Sequence, residues 1–149
     1  IQKIPFFAEK GDIRINTRLN TFLSSAKVDG SENQILWDEY TMVMRKFNNQ
    51  NIELVKDYLE KKGEFDSEKR DEIFEKKNIL LDRKKILYSL NFAMNNSNKE
   101  ISAYIGLYEL NKISKKYLDS LYYTLNKEIQ NSFYGKKLKK KLDSFDENF

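Results

Sequence analysis

Between residues 13 and 20 apolar and polar side chains alternate, with Ile13, Ile15, Thr17 and Leu19 on one side and Arg14, Asn16, Arg18 and Asn20 on the other. A period of two predicts a strand with one buried face. Phe6-Phe7-Ala8 reads as a preceding strand, and Glu9-Lys10-Gly11-Asp12 as the turn, with Gly11 free to take positive φ. Pro5, the single proline, falls at the start of that first strand, where a missing N–H is tolerated. A lone hairpin is marginal in water. Further strands are therefore expected, either upstream of Ile1 or along residues 22–28.

After Gly30 the period changes to that of a helix. Ser31-Glu32-Asn33-Gln34 matches a capping box, in which the Ser31 hydroxyl accepts from the Gln34 N–H and the Gln34 amide reaches back. Ile35, Leu36, Tyr40, Val43, Phe47, Leu54, Val55, Tyr58 and Leu59 trace one apolar face, with Gly63 as the stop and a polar stretch at 47–51 where the helix has room to bend. A second long helix is predicted from Asp66 to about Asn95, because Ile73, Leu80, Leu87 and Met94 recur every seven residues beside Phe74, Leu81, Tyr88 and Leu90. Asn95-Asn96-Ser97-Asn98 is a turn cluster. A short helix follows with Ile101, Tyr104, Ile105 and Tyr108. Another follows Ser114 with Tyr117, Leu118, Leu121, Tyr122 and Leu125 inward, and Gly135 opens a lysine-rich terminal helix through Leu138 and Leu142. No tetratricopeptide-like period is present.

The predicted class is α+β: one domain over residues 1–149, with a small antiparallel β element in 1–30 and a body of antiparallel amphipathic helices in 31–149. A hydrophobic share of 40% supports a core, and a charged share of 34% gives a heavily solvated surface. The chain holds no histidine and no cysteine. Ser-His-Asp and Cys-His catalysis are thereby excluded, zinc is disfavoured, and no disulfide scaffold exists. No apolar run reaches the roughly 18 residues that span a bilayer, and no signal segment is present. A start at Ile1 without an initiator methionine fits a fragment of a longer protein.

Several local patterns suggest chemistry. Glu68, Glu72 and Glu75 share a helix face, but a di-iron bundle also needs histidines, and the interleaved Lys69, Arg70, Lys76 and Lys77 favour a solvated face of i,i+4 pairs. Ser24-Ser25-Ala26-Lys27 fits S-x-x-K without the partner motifs that chemistry requires. No glycine-rich phosphate loop is present. Catalytic, cofactor and metal sites are accordingly not expected. The net charge of +4 is too small to imply nucleic acid. Positive charge concentrates only at residues 136–141, which suits an anionic surface or else a solvated helix face that Asp143, Asp146 and Glu147 offset. Tyr104, Tyr108, Tyr117, Tyr122 and Tyr123, with Phe133 and Tyr134, are numerous enough for a recognition groove and equally suited to a core. The expected binding surface is Tyr104, Tyr108, Tyr117, Tyr122, Lys136, Lys137 and Lys140.

Segments 6–15 and 26–34 resemble the domain of unknown function that precedes a thioredoxin-like domain in many cell-envelope proteins of Gram-negative bacteria. That family carries an "F-x-E-x-G-x-I-x-I" hairpin and a "V-x-G-S" segment, which Phe6 to Ile15 and Val28-Asp29-Gly30-Ser31 resemble. Asn96-Ser97-Asn98 through Tyr104 is similar to its "N-P-x-S…Y" turn, with Ser97 in place of proline, and Asn131-Ser132-Phe133-Tyr134-Gly135-Lys136-Lys137-Leu138 to its "N-S-x-Y-G-K-x-L" segment. The resemblance implies a periplasmic or envelope-facing lipoprotein part that binds or positions a client. Its partner would be a protein or a thioredoxin-like domain in the same or another chain, and membrane attachment would come only through a lipid anchor that this chain does not carry. Without a C-x-x-C these residues cannot exchange disulfides. The alternatives are a homo-oligomer built through strand edges and a binder of anionic membrane or nucleic acid through Lys136 to Lys141.

Overall fold

A computed structural model describes residues 2–61, 63, 66–111 and 113–146, the side chain of Asp146 excepted. The elements in order are β1 (Arg14–Asn16), a 3₁₀ turn at Leu19–Thr21, β2 (Lys27–Asp29), α1 (Glu32–Glu60), α2 (Ser67–Asn95), α3 (Glu100–Tyr108), α4 (Lys115–Thr124), α5 (Lys127–Gln130) and α6 (Phe133–Asp146). A two-stranded antiparallel element thus precedes a mostly helical body, as the residue pattern predicts. The chain divides into two compact units, Ile1–Glu39 and Tyr40–Phe149.

In the first unit β1 pairs with β2, Arg14 opposite Asp29, Ile15 opposite Val28 and Asn16 opposite Lys27. The partner of β1 is therefore the later segment, one of the two expected, and Phe6-Phe7-Ala8 forms no strand. Two local features account for this. The Phe7 N–H donates to Gln34 Oε1 at 3.2 Å, and the Glu9 carboxylate accepts from the Asn33 N–H and side-chain amide, so the segment is committed to the start of α1. Gly30, at φ +93°, lets the backbone pass so close to the Asp12 carbonyl oxygen that a Cβ would collide with it, and this close approach brings residues 27–29 alongside β1. The strand ends at Asn16, and Leu19, expected on a buried face, is 91% exposed because the chain turns into the 3₁₀ segment.

Ser31 Oγ accepts from the Gln34 N–H at 3.0 Å, half of the predicted capping box. The other half is absent, because the Gln34 side chain donates to Asp38 Oδ1 at 2.9 Å and accepts from Phe7. Phe7 also meets Trp37 edge-on, ring centroids 6.2 Å apart.

In the second unit the later part of α1 runs beside α2. Tyr40 lies near Tyr88 and Phe92, Phe47 near Tyr88, and Tyr58 near Phe74. Helix α1 continues through the polar stretch at 47–51, Gly63 takes φ +105° beyond its end, and Asp66 caps α2 by accepting from the Lys69 N–H at 2.8 Å. The core gathers where α3 packs on α6 and on α2: Ala93, Ile101, Ala103, Ile105, Leu118, Leu121, Leu138 and Leu142 are all almost fully buried. Gly106 brings α3 close to its neighbours, since a Cβ there would stand 2.9 Å from Leu121 Cδ2 and 3.0 Å from Leu138 Cδ2. Ser102 satisfies its buried hydroxyl on the Ala93 carbonyl at 2.6 Å. Helix α6 starts two residues ahead of Gly135, which is buried inside its first turn. Among the described residues no helix is long and apolar enough to cross a membrane.

Candidate functional site

A cavity of about 250 Å³ opens in the second unit between α1, α2 and the chain that leaves α3. Helix α2 supplies Asp82, Lys85, Ile86 and Ser89, whose spacing places them on one face. Tyr40 comes from α1, Tyr108 is the last residue of α3, and Glu109, Asn111 and Ile113 follow in the connection to α4.

Tyr40 is 1% exposed. Its hydroxyl lies 2.8 Å from Ser89 Oγ, with Glu109 near enough for its charge to act on it. Ser89 also donates to the Lys85 carbonyl oxygen at 2.9 Å. Burial pushes the Tyr40 hydroxyl up to about 12, the Ser89 bond opposes this, and the Glu109 charge adds to it. At neutral pH the group is therefore a fixed donor, not a base.

This burial has a measurable consequence at alkaline pH. A tyrosine whose folded pKa is about 12 against an ordinary 10 contributes stability that is fully present below pH 10 and is lost as pH rises toward 12. The expected loss is about 2 kcal/mol from this residue. Denaturant midpoints between pH 9 and pH 12 should fall more steeply for the native chain than for Tyr40→Phe. Parallel curves would show that the hydroxyl is not held as described.

Tyr108, one of the lining residues, also belongs to a cluster of rings. Tyr108, 46% exposed, lies 4.9 Å from Tyr104 and 6.3 Å from Tyr134, centroid to centroid, and Tyr104 meets Tyr134 edge-on at 5.1 Å. Phe133 extends the cluster from Tyr134 at 5.1 Å, with Lys137 Nζ over its ring at 4.3 Å. Burial raises the Tyr104 and Tyr134 hydroxyls above the usual tyrosine range, and the charges of Glu109 on the first and Glu100 on the second add to the effect.

Of the residues singled out by pattern, Tyr104, Tyr108 and Lys137 thus belong to one surface. Tyr122 lies apart, beside Tyr123 at 5.8 Å and with Lys139 Nζ 5.9 Å over its ring. Tyr117 is 55% exposed on α4 and joins no ring contact among the described residues. Lys136 and Lys140 are exposed on α6 without a described side-chain partner. The rest of the basic run is not free: Lys139 pairs with Asp143 at 2.7 Å, and Lys141 donates to the Leu107 carbonyl at 2.8 Å, satisfying a carbonyl in the last turn of α3. Burial holds the Lys141 ammonium below the usual lysine range. Glu147 lies outside the described residues, as does the side chain of Asp146.

Ser24 donates to the Thr21 carbonyl at 3.4 Å, Lys27 is exposed on β2, and no described hydrogen bond joins the two. Glu72 pairs with Lys76 at 2.5 Å, which draws its carboxyl below the usual range, and Glu68 and Glu75 are exposed. Among the described residues no three acidic side chains converge.

Residue patterning does not single out Tyr40, Asp82, Lys85, Ser89 or Glu109 as site residues. The available signal is Ser89, a hydroxyl among Leu87, Tyr88 and Leu90 on a face that also carries Asp82 and Lys85. Comparison with family models, curated proteins and solved structures finds no match for this chain.

Proposed function

We propose that the second unit is a recognition module that binds a segment of another polypeptide without transforming it. The reading is carried by Tyr108, which lines the cavity and also belongs to the Tyr104–Tyr134 ring cluster. A single ligand would thus find a pocket and an aromatic shelf side by side, the pairing that gives interfaces their strongest contacts. Binding without catalysis is supported by a chain that has no histidine or cysteine and by a buried tyrosine that keeps its proton. A setting in the cell envelope, positioning a client for a thioredoxin-like domain, rests on the resemblance of segments 6–15, 26–34, 96–104 and 131–138 alone. The basic-surface alternative has less support, because Lys139 is paired and Lys141 is turned into the body.

Selection of a random dodecapeptide library on the immobilised chain tests this reading. Enriched peptides should bind in the micromolar range by fluorescence anisotropy. Tyr108→Ala should weaken them at least about tenfold, equivalent to about 1.4 kcal/mol, with an unchanged circular dichroism spectrum. Failure to enrich any peptide, or equal binding by Tyr108→Ala, would remove the proposal.

A further inference from the structure

We infer that the cavity beside Tyr108 receives a guanidinium group, the arginine side chain of a bound polypeptide; this rests on the recognition reading above and names what the pocket selects.

Size is the first consideration. A space of about 250 Å³ falls below the ~300–1,000 Å³ typical of small-molecule and cofactor sites. It suits one long side chain.

Charge is the second. Asp82 and Glu109 both line the space, and among the described residues no ion pair reaches either. Lys85, the cation among the lining residues, has its Nζ drawn toward Asn48 Oδ1 at 3.5 Å.

Geometry is the third. Glu109 lines the cavity beside Tyr40, whose hydroxyl is buried and bonded to Ser89. Its carboxylate offers acceptor sites to a ligand. The Tyr108 ring, 46% exposed, has no described cation over it, although this chain places Arg70 over Tyr58 at 4.8 Å and Lys137 over Phe133 at 4.3 Å. A guanidinium is planar, presents a fork of donors to carboxylates and stacks on rings, whereas an ammonium is a strongly hydrated point charge. Two carboxylates and a half-exposed ring match the planar cation better, and the carboxylates repel an acidic ligand.

The test is titration of the ¹⁵N-labelled full chain with acetyl-Gly-Ser-Arg-Ser-Gly-amide, the same peptide carrying citrulline or lysine at the centre, and free arginine. The arginine peptide should shift the amide signals of Lys85, Ser89, Glu109 and Asn111 with a millimolar Kd. Citrulline, isosteric and uncharged, should bind at least about tenfold more weakly, lysine several-fold more weakly, and Asp82→Asn should erase most of the arginine advantage. Equal binding of citrulline, equal or tighter binding of lysine, or shifts confined to other regions would overturn the assignment. Free arginine binding as tightly as the peptide would overturn a polypeptide as the source. If library-selected peptides bind through Tyr108 but tolerate arginine-to-citrulline exchange, the guanidinium assignment falls and the recognition module stands. If nothing binds, both fall.

Discussion

Gly135→Ala is expected to destabilise the second unit by more than about 4 kcal/mol, an exceptional cost for one methyl group. The reason is backbone, not side chain. A Cβ at this position would collide with the Ile129 carbonyl oxygen and stand 2.7 Å from the Gln130 carbonyl oxygen and 2.9 Å from its carbon. These atoms belong to the end of α5, whose ends are themselves fixed: Asn126 Oδ1 caps it by accepting from the Ile129 N–H at 2.8 Å, and the Gln130 side chain donates to the Tyr122 and Leu125 carbonyls at 3.1 and 2.9 Å. The Gly135 N–H meanwhile donates to Ser132 Oγ at 3.2 Å. Neither helix can yield without breaking hydrogen bonds. Gly106→Ala is the informative contrast, because its close neighbours are the flexible ends of Leu121 and Leu138. It should cost about 1–3 kcal/mol, the usual range for overpacking. Thermal unfolding should place Gly135→Ala at least about 10 °C below the native chain. A small shift would mean that α5 and α6 do not meet as closely as described.

Helix boundaries are legible in the residues because they are set by short-range chemistry. Ser31 and Asp66 accept from backbone N–H groups three residues ahead, and Gly63 adopts a positive φ that few other residues take. Tertiary choices are not legible in the same way. The heptad stripe of α2 predicts burial of Leu80 and Leu87, yet they are 56% and 58% exposed, while Ser89 and Ala93 are buried. A seven-residue repeat says that a face is apolar, not that a partner covers it. Likewise Ile35, Val55 and Leu59 of α1 are 55%, 40% and 52% exposed, although Tyr40 on the same helix is buried.

The candidate site divides along the same line. Tyr104 and Tyr108 stand out by residue type and helical spacing, and they do share one surface. Asp82 and Glu109 lie 27 positions apart and become neighbours of one cavity only through the packing of α2 with α3. No periodicity encodes that meeting. The lysine run shows the converse error of reading composition as surface: Lys141 belongs to it by sequence but serves as a donor to an α3 carbonyl.

Leu138→Ala carries the second large expected effect. Its side chain is fully buried, at the contact of α6 with α3. Truncating such a residue removes its transfer free energy and leaves a cavity, together about 2–5 kcal/mol. Were α6 only a solvated basic tail, the same change would cost no more than about 0.5 kcal/mol, and Leu80→Ala, at 56% exposure on α2, supplies that reference within the same protein. Gly106 refines the test. Because a Cβ there would abut Leu138 Cδ2 at 3.0 Å, Gly106→Ala and Leu138→Ala relieve each other: the added methyl group enters the space that the truncated leucine vacates. The double variant should therefore be more stable than the sum of the single changes predicts, with a coupling of about 0.5–3 kcal/mol. Guanidinium denaturation of the four proteins measures it. Strict additivity would show that α3 and α6 do not share that contact, and the cavity beside Tyr108, built on the end of α3, would then lose the scaffold that positions it.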